Sequence, residues 1–279
     1  MHGYNSTSRS GPFYFFHIPK TAGTSLTAMI DQQFRPEQVC PAGLWSQLLA
    51  LPADQVRQYR FYRGHFYHYL HRLVPRRFTT FTILRDPVAR ALSHYEHILR
   101  DTQHYLHEKA HRLGSLAAFL RDPEATPMIL NFQTRALALD QDPLAPPPPG
   151  SPGHTFDLER RLESNLGAGE PDAVVLDRAI ARLQSFAFVG LVERYDESVD
   201  GLFRTFGWKK PAEIARMNVS TNRGSRPTLT AEDRRLLEGM LQLDIALHDA
   251  ARRLLDEHLQ AANRRWYHRL MPWSVARTA

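Results

Sequence analysis

The stretch HIPKTAGTSL, at positions 17–26, concentrates side chains that bind anions. Lys20 supplies a movable positive charge, and hydroxyl groups occupy three of the next five positions. Gly23 would let the backbone approach a phosphate, and free N–H groups at a helix N-terminus favour an anion. Because Lys20 precedes Gly23, the stretch differs from the GxxxxGK(S/T) loop of triphosphate-binding proteins. The alternative is a tight turn with a solvated lysine and Ser25 as helix cap.

A second segment, RDPVARALSHY, begins at Arg85 and has the same kind of donors. Ser93 comes eight residues later, about two helical turns into the helix that follows. Asp86 and Pro87 are the residue types that cap and start such a helix. The spacing favours a clamp for a second phosphate, with Arg90 either assisting or lying on the surface. A capped amphipathic helix without a ligand is the alternative.

Both segments follow runs that are typical of buried strands. These runs are Phe13–Ile18 and Phe78–Leu84, and a third occurs at Phe186–Val192, each followed by a helical pattern. The alternation predicts an α/β fold with a central, mainly parallel sheet flanked by helices in three layers, similar to P-loop proteins. Ligands of such sheets bind beyond the carboxyl ends of the strands, so both segments are expected at one edge.

The domain organisation is expected to be simple. We interpret residues 1–279 as one domain with a flexible, Pro/Gly-rich loop at about 140–154, DQDPLAPPPPGSPGH. After Pro227 the pattern indicates a C-terminal helical segment, a long amphipathic helix or a helix pair capped at Thr230.

Composition excludes several classes of protein. The net charge is +6 and suits anionic ligands, but the 35 Lys and Arg residues are spread along the chain, which argues against a nucleic-acid groove. No apolar run reaches the roughly 18 residues of a transmembrane helix, and the polar N-terminus lacks a signal-peptide core. Cys40, the single cysteine, rules out an internal disulfide and favours a reducing compartment, so we expect a cytoplasmic protein.

Together the two motifs resemble those of a known family. PKTAGTSL is similar to the 5′-phosphosulfate loop of sulfotransferases, and RDPVARALSHY is similar to their 3′-phosphate motif, RDPxxRxxSxY. The likeness is to the branch containing heparan sulfate 2-O-sulfotransferase and many bacterial sulfotransferases. Vaguer similarity extends to GLVERYDESV, at 190–199, and to the late helix with Asp244.

The resemblance implies a donor, PAPS (3′-phosphoadenosine 5′-phosphosulfate), and residues that bind it. Lys20 matches the lysine at the oxygen that bridges phosphate and sulfate, and Arg85 and Ser93 match the pair that binds the 3′-phosphate. A polar loop near the end would add Arg223 and Gly224, unless it is only solvated. The remaining residues of the phosphosulfate loop would be Thr21, Ala22, Gly23, Thr24, Ser25 and Leu26.

The resemblance also implies a general base, because relatives carry a histidine in a Gly-His element between the two motifs. His65 matches it, whereas Arg63 replaces the first histidine of relatives that have two. Imidazole titrates near pH ~6.5, so its neutral form can accept a proton. A structural histidine is the alternative. The three-residue spacing of His68 and His71 suggests a zinc site, but no cysteine or well-spaced carboxylate completes the ligand set, so we expect no metal.

The expected activity is transfer of a sulfuryl group from PAPS to a hydroxyl of an acceptor, by in-line displacement with His65 as base. The acceptor is expected to be a saccharide or a small hydroxylated molecule, and the aromatic residues at 59–69 could stack on it. Two alternatives stay open: a nucleotide kinase or NTPase of P-loop type, and a non-catalytic binder of anionic polymer. The basic, aromatic C-terminus, RRWYHRLMPW, suits peripheral membrane contact, an acidic saccharide or simple packing.

Overall fold

The sheet lies at the centre of the molecule. The computed structural model describes residues 11–139, 170–210, 213–214 and 229–270. The loop predicted at 140–154 and the residues Arg223 and Gly224 lie outside these ranges.

In the described ranges the strands form one parallel sheet of order β2-β1-β3-β4. Their bounds are β1 Phe13–Phe16, β2 Phe61–Gly64, β3 Thr79–Leu84 and β4 Phe188–Leu191. The predicted α/β fold with a parallel central sheet is thereby confirmed. The second strand, β2, was not predicted.

The helices pack on the sheet and beside it. They are α1 Gly23–Ile30, α2 Trp45–Leu49, α3 Ala53–Val56, α4 Leu70–Leu73, α5 Pro87–Arg100, α6 His107–Leu113, α7 Leu116–Arg121, α8 Phe132–Ala138, α9 Asp172–Ser185, α10 Tyr195–Phe206, α11 Ala231–Met240 and α12 Gln242–Leu270. The predicted C-terminal segment is a helix pair, α11 and α12. Thr230 caps α11 by accepting from Asp233 N, while the Asp233 carboxylate accepts from Thr230 N.

Burial explains why these segments become strands. Tyr14, Phe15 and Phe16 of β1 are almost fully buried, as a strand covered on both faces requires. A second apolar cluster outside the main core joins α5, α6, α7 and α11. None of the helices in the described ranges has the length and apolar character needed to cross a membrane.

The aromatic residues at 59–69 belong to the core instead of an acceptor pocket. Tyr62 and Phe66 have no exposed surface, and Tyr69 is 4% exposed. The expectation that rings of this segment stack on an acceptor is therefore wrong for these side chains. Phe66 packs against Tyr14 of β1, and this contact holds the turn after β2 in place.

Candidate active site

The predicted site residues from distant parts of the sequence meet at one edge of the sheet. His65 follows β2, Lys20 follows β1, and Arg85 follows β3. Because these three strands are parallel neighbours, their carboxyl ends lie side by side. The strand order therefore brings the loop and the arginine together, as the strand–helix pattern predicts, and the unpredicted strand β2 adds the candidate base.

The loop between β1 and α1 has an unusual backbone. Lys20 and Ala22 adopt positive φ angles of 71° and 61°, in the left-handed region that side-chain-bearing residues avoid. Such strain costs of order 1–3 kcal/mol per residue and concentrates at ligand-binding sites. The hydroxyl of Thr21, which is fully buried, donates to Ile18 O at 2.8 Å. Thr21 therefore stabilises the loop from within, and its proton is committed there.

The other loop residues occupy the first turns of α1. The N-cap is Ala22, so the alternative with Ser25 as the cap residue is wrong. Thr24 is exposed, whereas Ser25 is 3% exposed. Leu26 is buried in the core, and its N–H donates to Ala22 O. The exposed hydroxyl of this turn is therefore that of Thr24.

Gly23 is closely packed, and its neighbour is a histidine. A Cβ placed on Gly23 would lie 1.8 Å from Nε2 of His17. The His17 ring also stacks on Phe15, with centroids 5.1 Å apart, and contacts the His65 ring at 4.5 Å. The space in front of Gly23 is thus occupied by an imidazole.

His65 is held in a defined orientation. Its Nδ1 lies 2.8 Å from the main-chain oxygen of His17. A carbonyl only accepts hydrogen bonds, so Nδ1 carries the proton and Nε2 keeps a free lone pair. The backbone is fixed as well: His65 N donates to Gly43 O at 3.0 Å, and a Cβ on Gly64 would lie 2.5 Å from that same oxygen. The imidazole therefore offers a base nitrogen at the sheet edge.

The surroundings keep both imidazoles neutral. Burial lowers the pKa of His65, the hydrogen bond to His17 O opposes this, and the charge of Lys20 lowers the pKa further. For His17, burial followed by the charges of His65, Lys20 and Arg63 holds the pKa well below its ordinary value. Neutral His65 is thus available as a proton acceptor at neutral pH.

Lys20 lies in a cationic environment. Burial, followed by the charges of Arg100, Arg85 and Arg90 and opposed by Glu96, lowers its pKa to about 8. Lys20 is half-buried and not the solvated lysine of the alternative interpretation. Positive charges that disfavour one another in the free protein favour an anion bound among them. This region suits a multiply charged ligand.

Arg85 joins the second motif to the loop. Its guanidinium donates to Lys20 O at 3.1 Å. Its main chain is held by Gln133, which accepts from Arg85 N at 3.0 Å and donates to Arg85 O at 2.9 Å. Gln133 is itself fully buried. The arginine therefore stands on a fixed backbone with its side chain at the loop.

Ser93 lies half-buried on α5. Glu96 and Arg100 follow at spacings of three and four on the same helix face, and their charges act on Lys20. Ser93 therefore shares its helix face with two charged residues that act on Lys20. Arg90 is fully buried, donates to Met128 O and lies over the Phe132 ring, so a surface position for it is excluded.

The start of α5 is anchored as predicted, and also from β4. Asp86 caps the helix by accepting from Ala89 N at 2.8 Å. Glu193, after β4, accepts from Asp86 N at 2.8 Å and contacts His248 Nε2 at 3.3 Å. The segment GLVERYDESV thus supports the second motif through Glu193.

The remaining histidines considered for zinc are less informative. His68 and His71 have ring centroids 4.8 Å apart. Throughout the described ranges, no group of three or more histidine, cysteine or acidic side chains could hold a metal ion.

Sequence reasoning missed two residues of this edge. His17 stands inside the stretch HIPKTAGTSL, but only its contacts with Gly23 and His65 reveal its place. Gln133 lies 48 positions from Arg85, and no local pattern marks it. Both depend on long-range packing.

Comparison with known families agrees with the two motifs. Residues 6–131 match the model described as Sulfotransferase family, a range that includes the loop, His65, Arg85 and Ser93. A search of curated proteins found no match.

Proposed function

We propose that this chain, whose residues 6–131 match the model of the sulfotransferase family, transfers the sulfuryl group of PAPS to an acceptor hydroxyl. The observation that carries the proposal is the orientation of His65, whose Nδ1 donates to the main-chain oxygen of His17. His65 follows β2, and the adjacent strand β1 leads into the loop with Lys20. A proton acceptor and an anion-binding loop are the two parts that sulfuryl transfer needs.

The charges and positions of these residues support PAPS as the proposed donor. The N-terminus of α1 and Lys20 would hold the 5′-phosphosulfate, with the exposed Thr24 hydroxyl as a further donor. Arg85, whose guanidinium already reaches the loop, and Ser93 would hold the 3′-phosphate. Thr21, Ala22, Gly23, Ser25 and Leu26 would shape the loop. Arg223 and Gly224 remain proposed contacts outside the described residues.

In the proposed step, Nε2 of His65 removes the proton of the acceptor hydroxyl. The hydroxyl oxygen forms a bond to sulfur as the bond between sulfur and the bridging oxygen breaks. Lys20 offsets the negative charge that develops on the departing phosphate. The products are a sulfate ester, 3′-phosphoadenosine 5′-phosphate and a proton on His65, which passes to water. No step of this scheme uses a metal ion.

The acceptor is proposed to be a saccharide or small hydroxylated molecule. The arginines and histidines near Lys20 favour an acceptor that is polar or acidic. Cys40 is buried and burial raises its pKa to about 11, so its thiol is inert, and we propose a cytoplasmic location on the low cysteine usage.

The test is nucleotide binding by calorimetry. We expect 3′-phosphoadenosine 5′-phosphate to bind more tightly than AMP, which lacks only the 3′-phosphate, and than ADP or ATP–magnesium. Arg85→Ala should remove most of the preference over AMP, about 10- to 100-fold, since one charge-assisted contact to phosphate is lost. Arg57→Ala is the matched control, because Arg57 is exposed on the segment that enters β2.

Each contrary result has a distinct meaning. Tighter binding of ATP–magnesium than of the 3′-phosphorylated nucleotide would overturn the proposal in favour of a kinase or NTPase. Binding of polyanions with no nucleotide preference would favour the non-catalytic binder. A preference over AMP that survives Arg85→Ala would remove Arg85 from the 3′-phosphate site.

A further inference from the structure

The His17 side chain is a part of the site that the proposed reaction does not use. Its imidazole lies between two groups that the reaction does use. The position of a Cβ on Gly23 is 1.8 Å from His17 Nε2, 2.3 Å from Cε1 and 2.4 Å from Cδ2. The His65 ring also contacts the His17 ring, with centroids 4.5 Å apart and planes tilted by 34°. The ring is therefore a spacer between the loop and the base.

The spacer is itself fixed by the core. Its ring stacks on Phe15 at 5.1 Å with planes 16° apart, and Phe15 has no exposed surface. Phe15 in turn stacks on Phe81 of the neighbouring strand at 5.4 Å. A line of rings thus runs from the centre of the sheet to the loop. Movement of His17 would disturb packed aromatic contacts.

His17 contacts His65 through two separate groups. The main-chain oxygen accepts from Nδ1 and sets the tautomer, while the side chain packs against the imidazole. Only the second contact is removed by substitution. A change at His17 therefore alters ring packing and leaves the hydrogen bond that orients the base in place.

We propose that the His17 side chain is a positioning residue that sets the separation between the phosphosulfate loop and His65, and that position 23 is glycine to admit this ring. The assignment of roles to the two groups rests on the proposed function. The packing relation between His17 and Gly23 rests on the geometry alone. It gives a packing reason for glycine at position 23 beside the expectation that a phosphate approaches there.

Charge supports the same role. The groups that face His17 and His65 are the two imidazoles themselves, Lys20 and Arg63. A His17 cation would be repelled by both basic residues, and its pKa is held well below the ordinary value. The ring is thus neutral where it contacts the loop at Gly23 and the base His65. A neutral ring adds no positive charge that would repel Lys20.

The packing relation is tested with four proteins: wild type, His17→Ala, Gly23→Ala and the double variant. Gly23→Ala alone should lower the affinity for 3′-phosphoadenosine 5′-phosphate about tenfold or more. It should also lower the midpoint temperature of thermal unfolding, because the new methyl group displaces the His17 ring. Adding His17→Ala should restore both quantities to the values of His17→Ala alone. A double variant as impaired as Gly23→Ala, or showing the sum of both losses, would overturn the proposal.

The two failures can be told apart. If the wild type binds no 3′-phosphorylated nucleotide, the proposed function fails, yet the unfolding midpoints still decide whether His17 and Gly23 are coupled. If His17→Ala folds poorly, His17→Asn removes Nε2 and Cε1, the atoms nearest Gly23, and keeps a planar polar group.

The positioning role has its own readout in the pH profile. His17→Ala should admit water beside His65 and raise its pKa towards the ordinary value, since burial is the main cause of its lowering. The acid limb of kcat/KM should therefore move to higher pH and kcat should fall, with nucleotide affinity within about threefold of wild type. His111→Ala, at an exposed histidine of α6, should change none of these. An unmoved acid limb with unchanged kcat would contradict the role.

Discussion

Two helix N-termini of this molecule are used in opposite ways. Asn131 is the N-cap of helix α8, and N–H groups of its first turn donate to the buried carboxylate of Asp244: Gln133 N at 3.3 Å and Thr134 N at 2.8 Å. The N-cap of helix α1 is Ala22, whose side chain has no acceptor, and the first turn of α1 contains no acidic residue. The chain supplies its own carboxylate to α8, whereas under the proposed function the N-terminus of α1 receives the phosphosulfate of the donor.

The capping between α8 and α12 is reciprocal. Asn131 Oδ1 accepts from Leu243 N and Asp244 N, so each helix caps the other. Burial raises the pKa of Asp244, while the charge of Arg90 and the hydrogen bonds from Thr134 and Gln133 oppose this. The late helix that gave a vague family likeness is thus anchored to α8, which carries Gln133 to the site. The junction of α8 and α12 therefore helps to fix Gln133, which holds the main chain of Arg85 at the site.

The largest effect is expected for His65→Ala. If the reaction takes place at the N-terminus of α1, beside His65, kcat should fall about 10²- to 10⁴-fold, since a general base is lost. Binding of 3′-phosphoadenosine 5′-phosphate should be little changed. The measurement is transfer of labelled sulfate from PAPS to the best acceptor of a hydroxyl screen. His111→Ala, at an exposed histidine of α6, is the control. Equal kcat for both variants would exclude His65 as the base.

At the junction of α8 and α12, Asp244→Ala should reduce stability by about 2–4 kcal/mol, because three buried donors of Gln133 and Thr134 lose their acceptor. Chemical denaturation monitored by circular dichroism measures the free energy of unfolding. Asp249→Ala, exposed on the same helix, should change it by less than about 0.5 kcal/mol. Similar losses for the two variants would mean that the junction carries no special stability.

A carboxylate introduced at the N-terminus of α1 should make this terminus resemble that of α8, where Asp244 accepts from the first N–H groups. Thr24→Asp puts a carboxylate in the first turn of α1, where it stabilises the helix by about 0.5 kcal/mol. The same charge should weaken binding of 3′-phosphoadenosine 5′-phosphate about 10- to 100-fold through repulsion. Thr24→Ser keeps the hydroxyl and should bind normally. Unchanged binding by Thr24→Asp would show that the nucleotide does not approach this turn.

The smallest effect concerns pH. His65 must be neutral to act, and its lowered pKa keeps it neutral to pH values below 6.5, so the acid limb of kcat/KM should lie below that value. Lys20 must be charged, and with a pKa of about 8 it loses its proton as pH rises through that value, which gives the alkaline limb. Lys20→Arg should remove the alkaline limb, because arginine stays protonated. An alkaline limb retained by that variant would assign it to another group.

Local segments of the sequence were sufficient for part of this structure. The strand–loop–helix of Phe13–Ile30 and the Asp86 cap are formed by contiguous residues, whose periodicity and residue types carry their own information. Strand β2 was missed because its sequence, FYRG, is short and includes Arg63, which pairs with Asp31 at 2.8 Å. That ion pair joins residues 32 positions apart, so no local pattern contains it.

By itself, then, the sequence determined an α/β fold, the loop proposed to bind an anion and the second motif with Arg85, because each is formed by neighbouring residues. Tertiary structure decided what surrounds them: the carbonyl that orients His65, the amide of Gln133 that holds Arg85, and the imidazole that fills the space at Gly23. The physical reason is that strand order, not chain order, sets which residues meet at a sheet edge.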